Sequence, residues 1–440
     1  MKKTSILWFR NDLRVSDNPG ISIAVESDYC IPVYIFDSEL FKPIVGLGFS
    51  RMDHHRFRFI CESLVDLKKS LGTLGSGLRI YYGNPVLILN SLVKRFNADC
   101  IICQKEDGVY EDNIVQQLGK IQQCLLYTYD SNLLLHPEHP AANIGKLPPV
   151  FTDFRKKAEV SFYENTLPPT PHLFPPLPEG HDDSIDLPEF TGIARLKGGE
   201  SEAWKRLRYY FFETRLIASY KQTRNGLIGD DYSSKFSPWL ASGCISAVGI
   251  YRELKEFERE YGADENTYWL FFELMWRDYF RLVSRKYGKR IFLKNGIKNS
   301  GRPLSYTNLK VFQNWCMGET ESDFCNANMR ELYRTGFMSN RGRQNVASYL
   351  VHDLGVDWRW GASWFEYKLM DYDVCSNWGN WMYIAGVGND PRPFRKFNLE
   401  RQKEMYDSKG DYTNSYAGSL PVPEPFSKPI PENWTEYKED

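Results

Sequence analysis

The stretch SRMDHHRFRFICESLVDLKKSLGTLGSGLRIYYGNPVLILNSLVKRF (residues 50–96) decides the fold of the amino-terminal part of the chain. Phe57, Ile60, Leu64, Leu67 and Leu71 share one face at helical spacing, with Ser50 placed to cap the helix start. Leu78–Tyr82 follows, short and apolar, and reads as a strand. Pro85 then occupies the first turn of a second helix over 85–96. The alternation continues in both directions. Ser5–Phe9 and Ile31–Phe36 read as strands before this stretch, and Cys100–Cys103 and Leu125–Tyr129 after it, with a weaker helix over 110–122. Strands alternating with helices imply a parallel sheet covered on both faces. Neither GxGxxG nor GxxxxGK[ST] occurs, so no dinucleotide fingerprint or P-loop is present.

Beyond residue 130 the pattern changes. Residues 131–200 are rich in proline, which lacks an N–H and fixes φ, and read as a long connector, unpacked except for one short helix in VFTDFRKKAEV. From about 201 the chain turns helical, with helices expected over 201–221, 246–261, 266–287, 308–317, 326–335, 341–353 and 361–370. The division is therefore 1–130, 131–200, 201–418 and a loose, proline-punctuated tail over 419–440. A chain of 440 residues has room for two or three domains.

Composition sets further bounds. No run of about 18 apolar residues exists, so no spanning helix is expected, and MKKTSILWFR reads as a first strand and not a secretory signal. A cytoplasmic protein without membrane contact is expected. The 9 cysteines are scattered and odd in number, which argues against a disulfide framework. Cys100 and Cys103 sit three apart in a strand, on opposite faces, and no second pair completes a metal site. Aromatic residues make up 15% of the chain, which suits a tryptophan-rich core or stacking on planar ligands. Residues 1–200 hold 21 Lys and Arg against 25 Asp and Glu, and residues 201–440 hold 34 against 31. Between Arg277 and Arg302 there are nine basic residues and one acid, which fits either a polyanion partner or a solvated helix face.

Four segments carry candidate chemistry. GDDYSSKFSPWLASGCIS (229–246) groups Ser233, Ser234, Lys235 and Ser237 before a helix, a set that suits a pyrophosphate or a serine-rich cap. In ELMWRDYFR (273–281), Glu273, Trp276, Arg277 and Phe280 share a helix face. Unpaired burial of Glu or Arg costs too much, so these two should pair with each other or with a ligand. In 326–350, Asn340, Arg341, Arg343, Gln344 and Asn345 offer donors and acceptors suited to heterocycle edges, although Asn340 could equally cap a helix. Asp371 and Asp373 lie two apart, with Asn377, Trp378, Trp381 and Tyr383 beyond; no hydrolase context accompanies these paired carboxylates.

These motifs resemble the photolyase and cryptochrome family. WFRNDLRVSDNP (8–19) is similar to its opening. The segments 229–246, 273–281, 338–350 and 373–398, with LPPVFTDFRKK (147–157), resemble its DASH cryptochrome branch. The resemblance spans about residues 4–410. It implies an α/β plus all-α architecture, a Rossmann-like antenna domain followed by a large helical domain that binds FAD. Tyr220, Ser233, Ser234, Lys235, Phe236 and Ser237 would lie along the diphosphate. Trp269, Arg277, Asn340, Arg343, Asp371 and Asp373 would line flavin and adenine, and the Asn377 side-chain oxygen would face flavin N5. The implied reaction is light-driven electron transfer from reduced FAD to a cyclobutane pyrimidine dimer. Glu273 would hydrogen-bond the dimer, Trp276 would pack on it, and Asn340, Gln344 and Tyr383 would flank it. Asn340 and Gln344 replace the histidines of (6-4) photolyases, and Tyr383 replaces a second lesion-packing tryptophan, which fits a preference for single-stranded DNA. Trp381 and Trp358 match the first two members of the electron-transfer chain; the third position is Ser305, beside Tyr306. Asn326 replaces a usual aspartate. The implied antenna is 5,10-methenyltetrahydrofolate, held by Glu106 with Glu111 in reserve. The resemblance implies a monomer acting on single-stranded DNA with pyrimidine dimers, RNA being a second candidate partner. The competing reading is a blue-light receptor that binds nucleic acid or protein without repair turnover.

Overall fold

The computed structural model describes residues 2–121, 124–180, 182–192, 194–298, 308–392, 395–420 and 429–437. Ser305, Tyr306 and Arg302 lie outside them. Strands β1 (Thr4–Phe9), β2 (Tyr29–Asp37), β3 (Arg79–Gly83), β4 (Cys100–Gln104) and β5 (Leu125–Tyr129) form one parallel sheet in the order β3-β2-β1-β4-β5. Leu7 of β1 pairs with Pro32 on one side and Ile102 on the other. Side chains alternate between faces. Leu7 and Phe9 join the core beneath α1 (Pro19–Ala24) and α2 (His54–Thr73). Ile6 and Trp8 join the opposite core beneath α3 (Pro85–Phe96) and α4 (Val109–Leu118).

The α2 start corrects the expectation for Ser50. Asp53 is the cap, accepting from the His54 N–H, while Ser50 Oγ donates to the Met52 carbonyl at 3.0 Å. The α3 start follows its sequence signal: Asn84 accepts from the N–H groups of Val86 and Leu87, and Pro85 takes the first helical position.

The proline-rich connector is packed, contrary to expectation. Leu133, Leu135, Phe151 and Phe154 are fully or nearly fully buried against Met275, Tyr279 and Leu282. Phe151 and Phe154 belong to the short helix α5 (Phe151–Glu159). Backbone N–H groups missing at proline are not required here, because apolar side chains supply the contacts. Within the tail, Trp434 is anchored. Trp434 lies 5.1 Å from Phe36 and 5.6 Å from Phe57, ring to ring, and its indole N–H donates to the Asp186 carbonyl.

The rest is helical: α6 (Glu200–Arg208), α7 (Tyr220–Thr223), α8 (Ser237–Ser242), α9 (Ala247–Tyr261), α10 (Glu265–Tyr287), α11 (Leu309–Met317), α12 (Asp323–Thr335), α13 (Asn340–Ser348), α14 (Trp358–Lys368), α15 (Val374–Ala385), α16 (Leu399–Tyr406) and α17 (Asp411–Ser415). The helix expected over 201–221 is broken. A π-turn over Tyr209–Glu213 and Arg215 at φ 54° separate α6 from α7. That break redirects the chain so that Tyr220 and Arg224 reach the cavity described below. The central helix α10 starts at a capping box in which Asp264 accepts from Thr267 N–H and Thr267 reaches back to Asp264.

The basic run 277–302 is partly internal, which corrects its reading as one exposed surface. Arg281 is buried and reaches Asp107 at 2.9 Å and Asp373 at 2.6 Å. Arg285 reaches Asp107 at 2.5 Å and Asp130 at 2.7 Å. These arginines tie α10 to the loop after β4 and to the start of α15. Lys286, Lys289, Arg290, Lys294 and Lys298 are exposed.

Candidate functional site

A cavity of about 470 Å³ opens among the segment 232–237, α10, α13 and α15. Fifteen of the site residues expected from the sequence line it: Tyr220, Ser233, Ser234, Lys235, Phe236, Ser237, Glu273, Trp276, Arg277, Asn340, Arg343, Gln344, Asp371, Asp373 and Tyr383. Asn377 and Trp381 line a recess of about 90 Å³ that shares Asn340, Arg343 and Asp371 with it.

The serine segment is held from behind. Arg206 donates to the carbonyls of Ser233 and Ser234 at 3.0 and 3.1 Å, and both serines line the cavity. Lys235 adopts φ 60°, and its ammonium is buried without a hydrogen-bond partner among the described residues. It lies over the rings of Tyr232 at 3.4 Å and Phe337 at 4.5 Å, a weak substitute for an anion. Burial, reinforced by Arg195, pulls its pKa down to about 7. Asp371 Oδ2 accepts from Ser237 at 2.6 Å and Arg343 at 2.7 Å, while Oδ1 is buried with no partner among the described residues. An unpaired cation and an unpaired carboxylate oxygen in one cavity fit a ligand that has both an anionic group and donors. A flavin dinucleotide has both, in its pyrophosphate and its hydroxyl and ring N–H groups. The donor set therefore fits FAD.

Asp373 caps α15 by accepting from the Ser376 N–H at 2.7 Å. Burial pushes its pKa up, but Arg281 and Arg277 outweigh that and hold it below the usual carboxylate range. Asn377 donates its amide N–H to the Ala362 carbonyl at 3.0 Å, leaving its side-chain oxygen as the acceptor. Trp269 is placed beside the cavity and not in its lining. Its ring stacks on Phe272 at 5.0 Å and carries Lys221 and Arg224 on its faces.

At the mouth, the expected pair Glu273–Arg277 does not form. Glu273 accepts from Arg224 instead, and Arg277 donates to the Asn132 carbonyl. Burial raises the Glu273 pKa against the pull of Arg224. Trp276 stacks on Phe151 at 3.7 Å and meets Tyr383 edge-on at 5.8 Å. The connector thus fixes the indole on the cavity wall. Arg395 covers the Tyr383 ring at 4.7 Å and pairs with the buried Asp390 at 2.7 Å. Asn340 is exposed; the cap of α13 is Ser339, which accepts from Gly342. Arg224, Phe151 and Arg395 were not found from the sequence. Only Arg224 left a signal there, since a half-buried Glu273 calls for a cation from somewhere.

A second cavity of about 160 Å³ lies between the sheet and the helices, and both Glu106 and Glu111 line it. Burial pushes the Glu106 carboxyl up to about 7, while Arg10 pulls the other way. Gln104 donates to it at 3.1 Å. Asp373 and Ala241 line this cavity as well as the first, so the two share a wall.

Trp381 meets Phe365 and Trp315 ring to ring at 5.1 and 6.2 Å. Trp358 meets Trp378 at 5.7 Å and donates its N–H to the Lys294 carbonyl. Asn326 closes a local loop, accepting from the Thr320 N–H and hydroxyl. No helix among the described residues is long and apolar enough to cross a membrane.

Comparison with known proteins agrees with this geometry. Residues 5–176 match the family model for DNA photolyase, and residues 269–438 match that for the FAD binding domain of DNA photolyase. Cryptochrome DASH of Xenopus laevis is 44% identical over 94% of this chain and 82% of its own length. The crystal structure of a Synechocystis cryptochrome superimposes with a TM-score of 0.89 at 40% identity, covering 94% of this chain and 88% of that one. An archaeal photolyase from Sulfolobus tokodaii, solved with two FAD molecules, superimposes at 0.74 with 25% identity, covering 94% and 89%.

Proposed function

Because the chain belongs to the photolyase and cryptochrome family, in its DASH cryptochrome branch, we propose that it repairs cyclobutane pyrimidine dimers in light, preferentially in single-stranded DNA. The observation that carries the reading is one cavity with two chemistries. Its depth holds the unpartnered Lys235 ammonium and Asp371 Oδ1, and its mouth holds Glu273, Trp276, Asn340, Gln344 and Tyr383. FAD, bound and reduced, supplies the electron that opens the dimer on illumination. Lys235 and the serines 233, 234 and 237 hold its pyrophosphate, with Tyr220 and Phe236 alongside. Asp371 accepts hydrogen bonds through Oδ1, and Arg343, Arg277 and Asp373 set the charge around the ring. Asn377 offers its oxygen to the flavin edge.

Glu273 hydrogen-bonds the pyrimidine carbonyls. Burial raises the Glu273 pKa against the pull of Arg224, which favours the donating, protonated form more than water does. A bound dimer must compete with Arg224 for that carboxyl, and freeing Arg224 places a cation beside the lesion phosphates. Trp276, held by Phe151, packs on the apolar face of the dimer. Tyr383 offers less stacking area than a tryptophan, so less energy is available to extrude a paired lesion, which favours single strands. Exposed Lys286, Lys289, Arg290 and Lys294 extend the positive surface for phosphates. Glu106 holds the pterin of 5,10-methenyltetrahydrofolate in the second cavity.

The test is repair of a dimer-bearing oligonucleotide by illuminated, reduced protein. Thymine absorbance is expected to return faster on single strands than on duplex, and Glu273→Ala should slow it at least about tenfold, a loss of about 1.4 kcal/mol in transition-state stabilisation. Unchanged dimers under light with the flavin-loaded wild type would favour a receptor instead.

A further inference from the structure

Glu331 on α12 is fully buried and does not line the cavity. Its Oε1 accepts from Arg195 at 3.2 Å and its Oε2 from the Tyr412 hydroxyl at 2.7 Å. Arg195 stands in the connector just before α6, outside any helix or strand. The same guanidinium donates to Asp230 at 2.7 Å and to the Gly229 carbonyl at 3.1 Å. Arg206, carried on α6, takes the next stretch, donating to Asp231 at 3.0 Å and to the Asp230 carbonyl at 2.8 Å. Two guanidiniums thus grip residues 229–234. Lys235 follows directly, at a φ of 60° that a residue with a side chain keeps only where its surroundings impose it. The two grips are anchored differently. A helix fixes the backbone of Arg206. Arg195 has an exposed partner in Asp230, and an ion pair in water holds little. Its buried partner is Glu331, and a carboxylate at that depth stays ionised only while a cation accompanies it. Tyr412 brings in α17. It is fully buried and packs with Phe324 and Ala327 of α12 and with Leu227, two residues before Gly229.

We propose that Glu331 is a positioning residue for the pyrophosphate site: through Arg195 it holds residues 229–235 in their binding shape, and through Tyr412 it ties that shape to α17. The proposal rests on the reading of FAD in the cavity with its pyrophosphate on Lys235 and the serines. The Glu331 charge also bears on Lys235. Burial lowers the pKa of that ammonium most, Arg195 and Arg206 lower it further, and Glu331 and Asp230 raise it, while the rings of Tyr232 and Phe337 lie against it. Removing the Glu331 charge therefore loosens the guanidinium that shapes the segment and strips the ammonium of a counter-charge. Both effects fall on the pyrophosphate end of the ligand and spare its ring end.

The experiment titrates the flavin-free full chain with FAD and, in parallel, with riboflavin, which has the ring and lacks the pyrophosphate. Glu331→Gln keeps an acceptor for Tyr412 and removes the charge. Its FAD affinity is expected to fall about tenfold, and its riboflavin affinity to change less than about twofold. Tyr412→Phe keeps the ring and removes one hydrogen bond to Glu331. It is expected to weaken FAD alone, by about threefold, and it keeps the proposal open to test if Glu331→Gln does not fold. Equal losses of FAD and riboflavin in either variant, or wild-type affinity for FAD in either, overturn the proposal. If the wild type itself binds riboflavin as tightly as FAD, the pyrophosphate reading falls. If the wild type prefers FAD and both variants keep that preference in full, only the role of Glu331 falls.

Discussion

In the cavity among the helices, Lys235 Nζ, Tyr232 Oη and Asp371 Oδ1 are buried without hydrogen-bond partners among the described residues. Around the smaller cavity between sheet and helices the polar groups are mostly engaged. Asp37 accepts from Tyr110, Glu106 from Gln104 and Glu366 from Arg51, and Arg10 donates to the Gln104 carbonyl. An unsatisfied buried polar group costs about 1–3 kcal/mol. Three in one cavity mark a site whose ligand completes the fold. Of the residues lining the second cavity only Arg56, at Nε, leaves a buried side-chain atom without a hydrogen-bond partner among the described residues, so a ligand there must mostly exchange bonds and not merely add them. The first cavity should therefore govern affinity for its ligand sharply, and the second should respond mildly to loss of any single group.

The most severe test strikes the wall common to both. Arg281→Met leaves Asp107 and Asp373 buried without their shared cation and is expected to cost about 3–5 kcal/mol of stability. Denaturant unfolding measures it. A cost below about 1 kcal/mol would show that the two cavities are not tied through this arginine.

Asp371→Ala separates the cavities. Flavin affinity should fall about 100-fold, or about 2.7 kcal/mol, because Arg343 and Ser237 lose their acceptor as well. Retention of the pterin proposed for the second cavity should change less than about threefold, since of the two cavities only the first contains Asp371. Equal losses at both sites would break the contrast.

Glu106→Gln examines the second cavity alone. Burial holds the Glu106 carboxyl at about 7, above its value in the unfolded chain. The folded protein therefore keeps a proton that the unfolded chain has released, and stability falls as pH rises from about 4.5 to about 7. The ligand-free variant should match wild type at pH of about 4 and exceed it by about 2 kcal/mol at about pH 8. Equal stability at both ends would place that carboxyl in water.

Lys235→Met is expected to have the smallest effect, about a tenfold loss of flavin affinity, or about 1.4 kcal/mol, near pH 6. Burial holds this amine at about 7 in the flavin-free protein. A bound pyrophosphate raises that value, so binding takes up a proton above pH 7 and wild-type affinity declines toward about pH 9. The variant should lack the slope and converge with wild type there. A slope that persists in the variant would assign the titration elsewhere.

Legibility in the sequence followed distance along the chain. Local signals placed β1 to β5, the Pro85 start of α3 and the long helix α10, because periodicity and helix-start residues are contained within a few residues. α15 gave no such signal: Asn377, Gly379 and Asn380 interrupt its apolar face, so it was read as a motif without a helix. The cavity lining was legible where it lies in contiguous motifs, as in 233–237 and 371–383. Partnerships across the fold were not. Glu273 finds Arg224 and not the adjacent-turn Arg277, because the break at Arg215 brings α7 against α10. The basic run looked like one surface because sequence counts charges and not the buried acids, Asp107 and Asp373, that wait on other elements.

The account stands on the helical cavity taking up a flavin dinucleotide. Flavin-free protein titrated with FAD, and in parallel with riboflavin, measures this directly through the yellow absorption band retained after desalting. Tight, one-to-one uptake of FAD is expected, with weak uptake of riboflavin, which lacks the pyrophosphate that Lys235 and the serines are placed to hold. Equal retention of both, or of neither, would contradict it.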